Sequence, residues 1–134
     1  WVVSVRVFAL GNGLVLSQDN GRHGYAIYLQ DGAVRATVRT ADTAVTLQEK
    51  PEQGITRCIK RWVTIDLQIK PDMAILSLNR ERVALLPLSQ GLAGNDMLIR
   101  LGTHPSLPAV LENIPAVEPT GFAGAIASLK ILRQ

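Results

Sequence analysis

The stretch Tyr25-Ala26-Ile27-Tyr28-Leu29-Gln30-Asp31-Gly32-Ala33-Val34-Arg35-Ala36-Thr37-Val38-Arg39-Thr40 decides the fold. Asp31-Gly32 at its centre is a two-residue hairpin signal, because a type I′ turn needs positive φ at both central positions. So short a turn fixes the register of the two runs it joins. Leu29 then faces Val34, Ile27 faces Ala36 and Tyr25 faces Val38 on one side, which reads as core. Tyr28 against Arg35, Ala26 against Thr37 and Gln30 against Ala33 form the other side, expected to meet solvent or a ligand. The next run, Ala44 to Gln48, extends both faces, with Val45 and Leu47 inward and Thr46 and Gln48 outward.

The same grammar continues in both directions. Turn signals fall at Gly11-Asn12-Gly13, Asp19 to Gly24, Ala41-Asp42-Thr43, Pro71-Asp72, Asn79 to Glu81 and Gly91 to Asp96. Short Val-, Ile- and Leu-rich runs with period-2 alternation lie between them, the signature of an antiparallel sandwich or barrel. Val63, Ile65, Leu67 and Ile69 share one side of a run that Trp62 opens on the polar phase, so Trp62 is expected to cover a sandwich edge. In the last run Phe122, Gly124 and Ile126 keep period 2, but the next apolar pair is Leu129 and Ile131. A β-bulge near Ala127-Ser128 accounts for that slip. No segment sustains a helical period; Pro108 to Pro115 has room for one short helical turn, a proline bounding each end. The chain reads as all-β.

Composition narrows the function. With 134 residues, 47% of them hydrophobic and 19% charged, residues 1–134 make one compact domain and intrinsic disorder is excluded. Apolar stretches break within about ten residues, short of the ~20 that a membrane helix needs, so no membrane insertion is expected. The net charge is +3, too small and too dispersed for a nucleic-acid footprint. Ten of the 14 basic residues are Arg, which grips carboxylate and sulfate-like oxyanions bidentately where Lys acts as a point charge. The sequence opens at Trp1 without Met or a signal-peptide pattern, and the expectation is a domain excised from a larger protein. No internal repeat or low-complexity linker divides it. The least regular stretch, Thr103 to Gly121, holds four prolines in 19 residues and is expected to be a functional or packing loop.

No catalytic constellation is present. His23 and His104 lie in no nucleophile-base motif, and both read as surface histidines. Cys58, the single cysteine, excludes a disulfide framework and reads as a small core or edge residue. Glu49, Glu52, Glu81, Glu112 and Glu118 fall in turns or loops, without the paired spacing on one strand that a glycosidase needs. Asp19, Asn20 and Asp96 read as solvated turn residues; a rim calcium ion is the alternative, and no cofactor is expected.

Six pieces in order carry a resemblance: Gly13-Leu14-Val15, Tyr25 to Gly32, Trp62 to Leu67, Leu76 to Arg80, Leu101-Gly102 and Phe122 to Ile126. In that order they resemble the laminin G-like, concanavalin A-like lectin/glucanase jelly roll. Leu14 to Gln18 followed by His23 to Leu29 looks most like the C-terminal accessory domain of some bacterial arylsulfatases. That resemblance implies a secreted or periplasmic module packed against the catalytic domain of its parent chain. The sulfatase Cys/Ser-x-Pro-x-Arg motif is absent, since Cys58 is followed by Ile59-Lys60-Arg61, so this segment is not expected to be an enzyme. One departure stands out: Asn79-Arg80 occupies a turn where the family favours Asn/Asp-Gly. Arg in the left-handed region costs about 1 kcal/mol, which predicts a shift to a longer turn using Glu81.

The binding expectation rests on the outward face of the first hairpin and its neighbour: Tyr28, Arg35, Thr37, Arg39, Thr46 and Gln48. An exposed aromatic flanked by Arg and hydroxyls suits a sugar with an anionic substituent, such as a sulfated polysaccharide. The simpler alternative is an ordinary cross-strand pair of Tyr28 with Arg35. A structural or assembly domain that binds another protein chain is the second functional reading.

Overall fold

The computed structural model describes residues 1–20, 22–40, 43–49, 59–92, 98–102 and 122–132. Ten strands make two antiparallel five-stranded sheets, with no helix among the described residues. Sheet I has the order β10-β1-β6-β7-β8: Gly124–Leu132, Val2–Ala9, Trp62–Ile69, Met73–Leu78 and Glu81–Pro87. Sheet II has the order β5-β4-β3-β2-β9: Thr43–Gln48, Ala33–Thr40, Gly24–Gln30, Gly13–Asp19 and Leu98–Leu101. The chain is an all-β jelly-roll sandwich.

The first hairpin has the register that its turn dictates: Leu29 pairs with Val34, Ile27 with Ala36, Tyr25 with Val38 and Tyr28 with Arg35. Asp31 and Gly32 take φ of 52° and 76°, and the Gly32 N–H donates to Asn12 Oδ1 at 2.9 Å. β5 adds Thr46 opposite Thr37 and Gln48 opposite Arg35. In sheet I, β1, β6 and β7 alternate buried residues with half-buried or exposed ones, with Val3, Val5, Val7, Val63, Ile65, Leu67, Ile69, Ala74, Leu76 and Leu78 facing in. These residues meet Leu16, Tyr25, Ile27, Leu29, Val34, Ala36, Val38 and Leu47 of sheet II in one core. At roughly 25 cal/mol per Å2, each fully buried Val, Leu or Ile contributes about 1.5–3 kcal/mol of transfer free energy.

The bulge falls where the phase slip requires it. Arg6 pairs with Ser128 and Val7 with Ile126, leaving Ala127 as the extra residue, so Leu129 and Ile131 return to the inward face.

Three expectations are corrected. The second turn does not lengthen: Leu78 pairs with Glu81, and Asn79 and Arg80 both take positive φ, 50° and 69°. Asn79 pins the tight form by donating its N–H to Thr64 O at 2.8 Å and accepting the Thr64 N–H at Oδ1 at 2.9 Å. The extra residue is taken up further along β8, in a bulge at Val83 opposite Leu76 and Ser77. Trp62 does not cover a sandwich edge, because β6 is the central strand of sheet I. It stands on the outer face against Phe8, ring centroids 5.6 Å apart. Asp19 is not a solvated turn acid: it closes β2 and is buried opposite Gly24. A Cβ at position 24 would collide with the Asp19 side chain and Gln18 O, so only glycine permits that approach.

Candidate functional site

The structure brings the six predicted residues onto one face of sheet II, but it does not leave that face open. Tyr28 is 3% exposed and Thr37 fully buried. The Tyr28 hydroxyl lies 2.9 Å from Thr37 Oγ1, which lies 2.9 Å from Thr46 Oγ1, giving a hydroxyl relay from the interior to the half-buried β5. The expectation of an exposed aromatic is therefore overturned. Tyr28 hands its polar end to Thr37 as a buried tyrosine must, and no ring face is offered to a sugar. Ala26 and Ser17, on the same outward phase, are also buried, so β2 and β3 are covered on both faces.

What remains accessible is a strip along β4 and β5. Arg35 and Arg39 are half-buried on the outward phase of β4, with Thr46 half-buried and Gln48 exposed beside them. One guanidinium nitrogen of Arg35 reaches Asp31 Oδ2 at 3.5 Å, a long pair with an Asp31 side chain 80% exposed. Its Nε is buried and has no hydrogen-bond partner among the described residues. The strip thus carries a cation held by one long, exposed ion pair beside a hydroxyl and an amide, a set suited to an oxyanion.

On the inner face of the same hairpin, the Tyr25 hydroxyl donates to Gln18 Oε1 at 2.8 Å, and burial pushes its phenol above the ordinary value. Tyr25 belongs to the core rather than to a site. Glu49, read as a loop residue, is buried just past β5, where Oε1 accepts the Val34 N–H at 2.9 Å, closing the strand pairing. Glu81 opens β8. His23 sits in a turn capped by Asn20, whose Oδ1 accepts the Arg22 and His23 N–H groups. Cys58, Glu52, Asp96, His104, Glu112, Glu118 and the proline-rich segment 103–121 lie outside the described residues. Among the described residues no three His, Cys, Asp or Glu side chains gather to hold a metal ion.

A second surface was missed by sequence reasoning. The outer face of sheet I is open and holds a polar recess of about 430 Å3 lined by Ser4, Thr64, Asp66, Asn79 and Arg80. The Arg6 guanidinium carbon lies 5.3 Å from the Trp62 ring centroid beside it. Period-2 phase put Thr64 and Asp66 outward, but β1 reaches β6 across about sixty residues, and no local signal announces that pairing. An apolar cleft of about 380 Å3 lies between β4–β5 and Pro87–Ser89, and no titratable group lines it among the described residues.

Two packed antiparallel sheets with this strand order make a β-sandwich of jelly-roll type. The solved structures agree. The chain superposes on mouse laminin α1 chain domains LG4-5 with a TM-score of 0.77 at 18% identity, over 96% of this chain and 33% of that one. The Ruminococcus gnavus IT-sialidase CBM40 bound to α2,6 sialyllactose gives 0.58 at 20% identity, over 77% of this chain and 64% of that one. A heptameric SAP-like pentraxin from Limulus polyphemus gives 0.58 at 12% identity, over 96% and 61% respectively. The chain spans a third to under two-thirds of these proteins, and the likeness is one of fold. No protein-family model matches the sequence, and no curated protein sequence does.

Proposed function

We propose that residues 1–134 act as one non-catalytic β-sandwich module that holds an anionic carbohydrate on the β4–β5 strip. The observation that carries this reading is Arg35: a half-buried guanidinium whose one ion pair among the described residues is long and made to an exposed carboxylate. Arg39, Thr46 and Gln48 stand beside it to hold a sulfate or carboxylate and its flanking hydroxyls. Two of the structural neighbours support the ligand class, being carbohydrate-binding modules of a sialidase, one of them bound to sialyllactose. The finer proposal is an accessory domain of a larger secreted enzyme of arylsulfatase type, resting on the resemblance carried by Leu14 to Leu29.

The test is titration of the domain with heparin and with desulfated heparin, with and without a chelator. Saturable, salt-sensitive binding of heparin alone is expected, unaffected by the chelator. The double variant Arg35→Gln/Arg39→Gln should weaken it about tenfold or more, one charge-assisted hydrogen bond being worth roughly 1.5–3 kcal/mol. Unchanged affinity in that variant overturns the site.

A second reading has its own observation. Ile99 and Leu101 are half-exposed although they stand on the inward phase of the edge strand β9, and Leu132 of β10 is 48% exposed. That edge favours packing against another domain or chain. A stable dimer that buries it, with no heparin binding, would make assembly the function.

A further inference from the structure

The outer face of sheet I is ordered in rows by its register. One row across all five strands reads Lys130, Ser4, Asp66, Ser77, Arg82. The next reads Ser128, Arg6, Thr64, with Asn79 hydrogen-bonded to Thr64 at its end. Four cations, Lys130, Arg6, Arg80 and Arg82, thus surround one carboxylate, Asp66. None of these five makes an ion pair within 4 Å among the described residues. A donor-rich face with a central acceptor, left unneutralised by its own protein, is complementary to an anion that also carries hydroxyl groups.

The Asn79-Arg80 turn adds an independent observation. The molecule solves the same problem twice, with two-residue turns of matching φ signs. It uses Gly32 at the second position of one and Arg80, at φ 69°, in the other. A β-carbon in that region is strained, and glycine relieves the strain. Strain held at a position bordering a polar recess, in a residue with no ion-pair partner among the described residues, points from the backbone outlier to a function for the side chain.

We propose that this recess is a second binding site, for a glycan bearing carboxylate or sulfate groups, with Arg80 and Arg6 holding the anions and Asp66, Thr64 and Ser4 taking hydroxyls. Trp62 is a positioning residue: its ring holds the Arg6 guanidinium beside Thr64. The inference shares only the ligand class with the β4–β5 strip, and it stands or falls separately.

The probe is a heparin tetrasaccharide, read by amide chemical shifts and calorimetry, with thermal unfolding alongside. Shifts are expected at Ser4, Thr64, Asp66 and Asn79. Arg80→Gly is expected to raise Tm by about 2–4 °C while weakening binding at the recess about tenfold. Arg80→Lys keeps both strain and charge, so Tm stays put and most affinity survives. Trp62→Ala weakens binding about threefold, and Asp66→Asn strengthens it for this anionic probe. The proposal is overturned if Arg80→Gly leaves recess shifts and affinity unchanged, if it lowers Tm, or if no shift appears on sheet I. Unchanged affinity in Arg35→Gln/Arg39→Gln with sheet I shifts intact sinks the strip reading alone. Loss of affinity in that variant with no shift on sheet I sinks this one alone.

Discussion

The outer faces of the two sheets are built from similar residue types and end in opposite states. On sheet II the outward tyrosine, threonines and small residues are buried, and their hydroxyls satisfy one another from Tyr28 through Thr37 to Thr46. On sheet I the outward Trp62 is 43% exposed, Asp66 and Arg80 have no ion-pair partner among the described residues, and the polar row is half-buried at Ser4, Asp66 and Ser77 and exposed at Lys130 and Arg82. The difference teaches that an outward phase names a direction and says nothing about what lies above it. Polar groups that find partners inside the protein become structure, while those left without partners remain available for a ligand.

The strongest way to break this contrast is to truncate one aromatic on each face. Tyr28→Ala should cost about 3–5 kcal/mol, the range for deleting a buried aromatic. Trp62→Ala should cost about 1 kcal/mol, since much of that ring is already in water and its main neighbours are Phe8 and Arg6. Urea unfolding at neutral pH reads both. Equal losses would mean that the two faces are covered alike.

A finer cut is Tyr28→Phe, which keeps the ring and removes the hydroxyl. Thr37 retains its bond to Thr46, so the loss should be about 1 kcal/mol. Thr37→Val removes the middle of the relay and leaves the buried Tyr28 hydroxyl unmatched, so it should cost more than Tyr28→Phe, about 2 kcal/mol. If the order reverses, the relay is not what stabilises the face.

The inner face of β3 supplies a pH control. Burial raises the Tyr25 phenol, so the folded state holds its proton to higher pH than the unfolded chain. Its contribution is fully present below the unfolded value of about 10 and is lost as pH rises above it, by up to about 1.4 kcal/mol per pH unit. Tyr25→Phe should therefore lower stability modestly at pH 7 by breaking the bond to Gln18, yet flatten its decline above pH 10. A parallel decline in both proteins would remove Tyr25 as the cause.

The sequence was most legible where a local signal dictates geometry. Asp31-Gly32 fixes the pairing of two strands outright, and the slip between Ile126 and Leu129 marks the bulge at Ala127. The covered face of sheet II had a weaker signal that alternation obscured. Leu14-Val15-Leu16 and Tyr25 to Leu29 are apolar without a break, the pattern of strands buried on both sides. The tight Asn79-Arg80 turn runs against local propensity, and the Thr64 backbone that pins Asn79 comes from the distant β6. The recess had no local signal at all. Ser4 and Asp66 become neighbours only through the pairing of β1 with β6.

The smallest predicted effect sharpens the comparison most, because it separates stability from binding on sheet II as Arg80→Gly does on sheet I. Asp31 is the single ion-pair partner of Arg35 among the described residues, at 3.5 Å and from a largely exposed side chain. Such a pair contributes little, so Asp31→Asn should change stability by less than about 0.5 kcal/mol. Asn is itself at home at positive φ, so the turn keeps its form. If the β4 strip meets an anion, removing this competing carboxylate should strengthen heparin binding and steepen its salt dependence. If affinity instead stays level while the fold is untouched, Arg35 is held for the hairpin, and sheet I alone carries the open polar face.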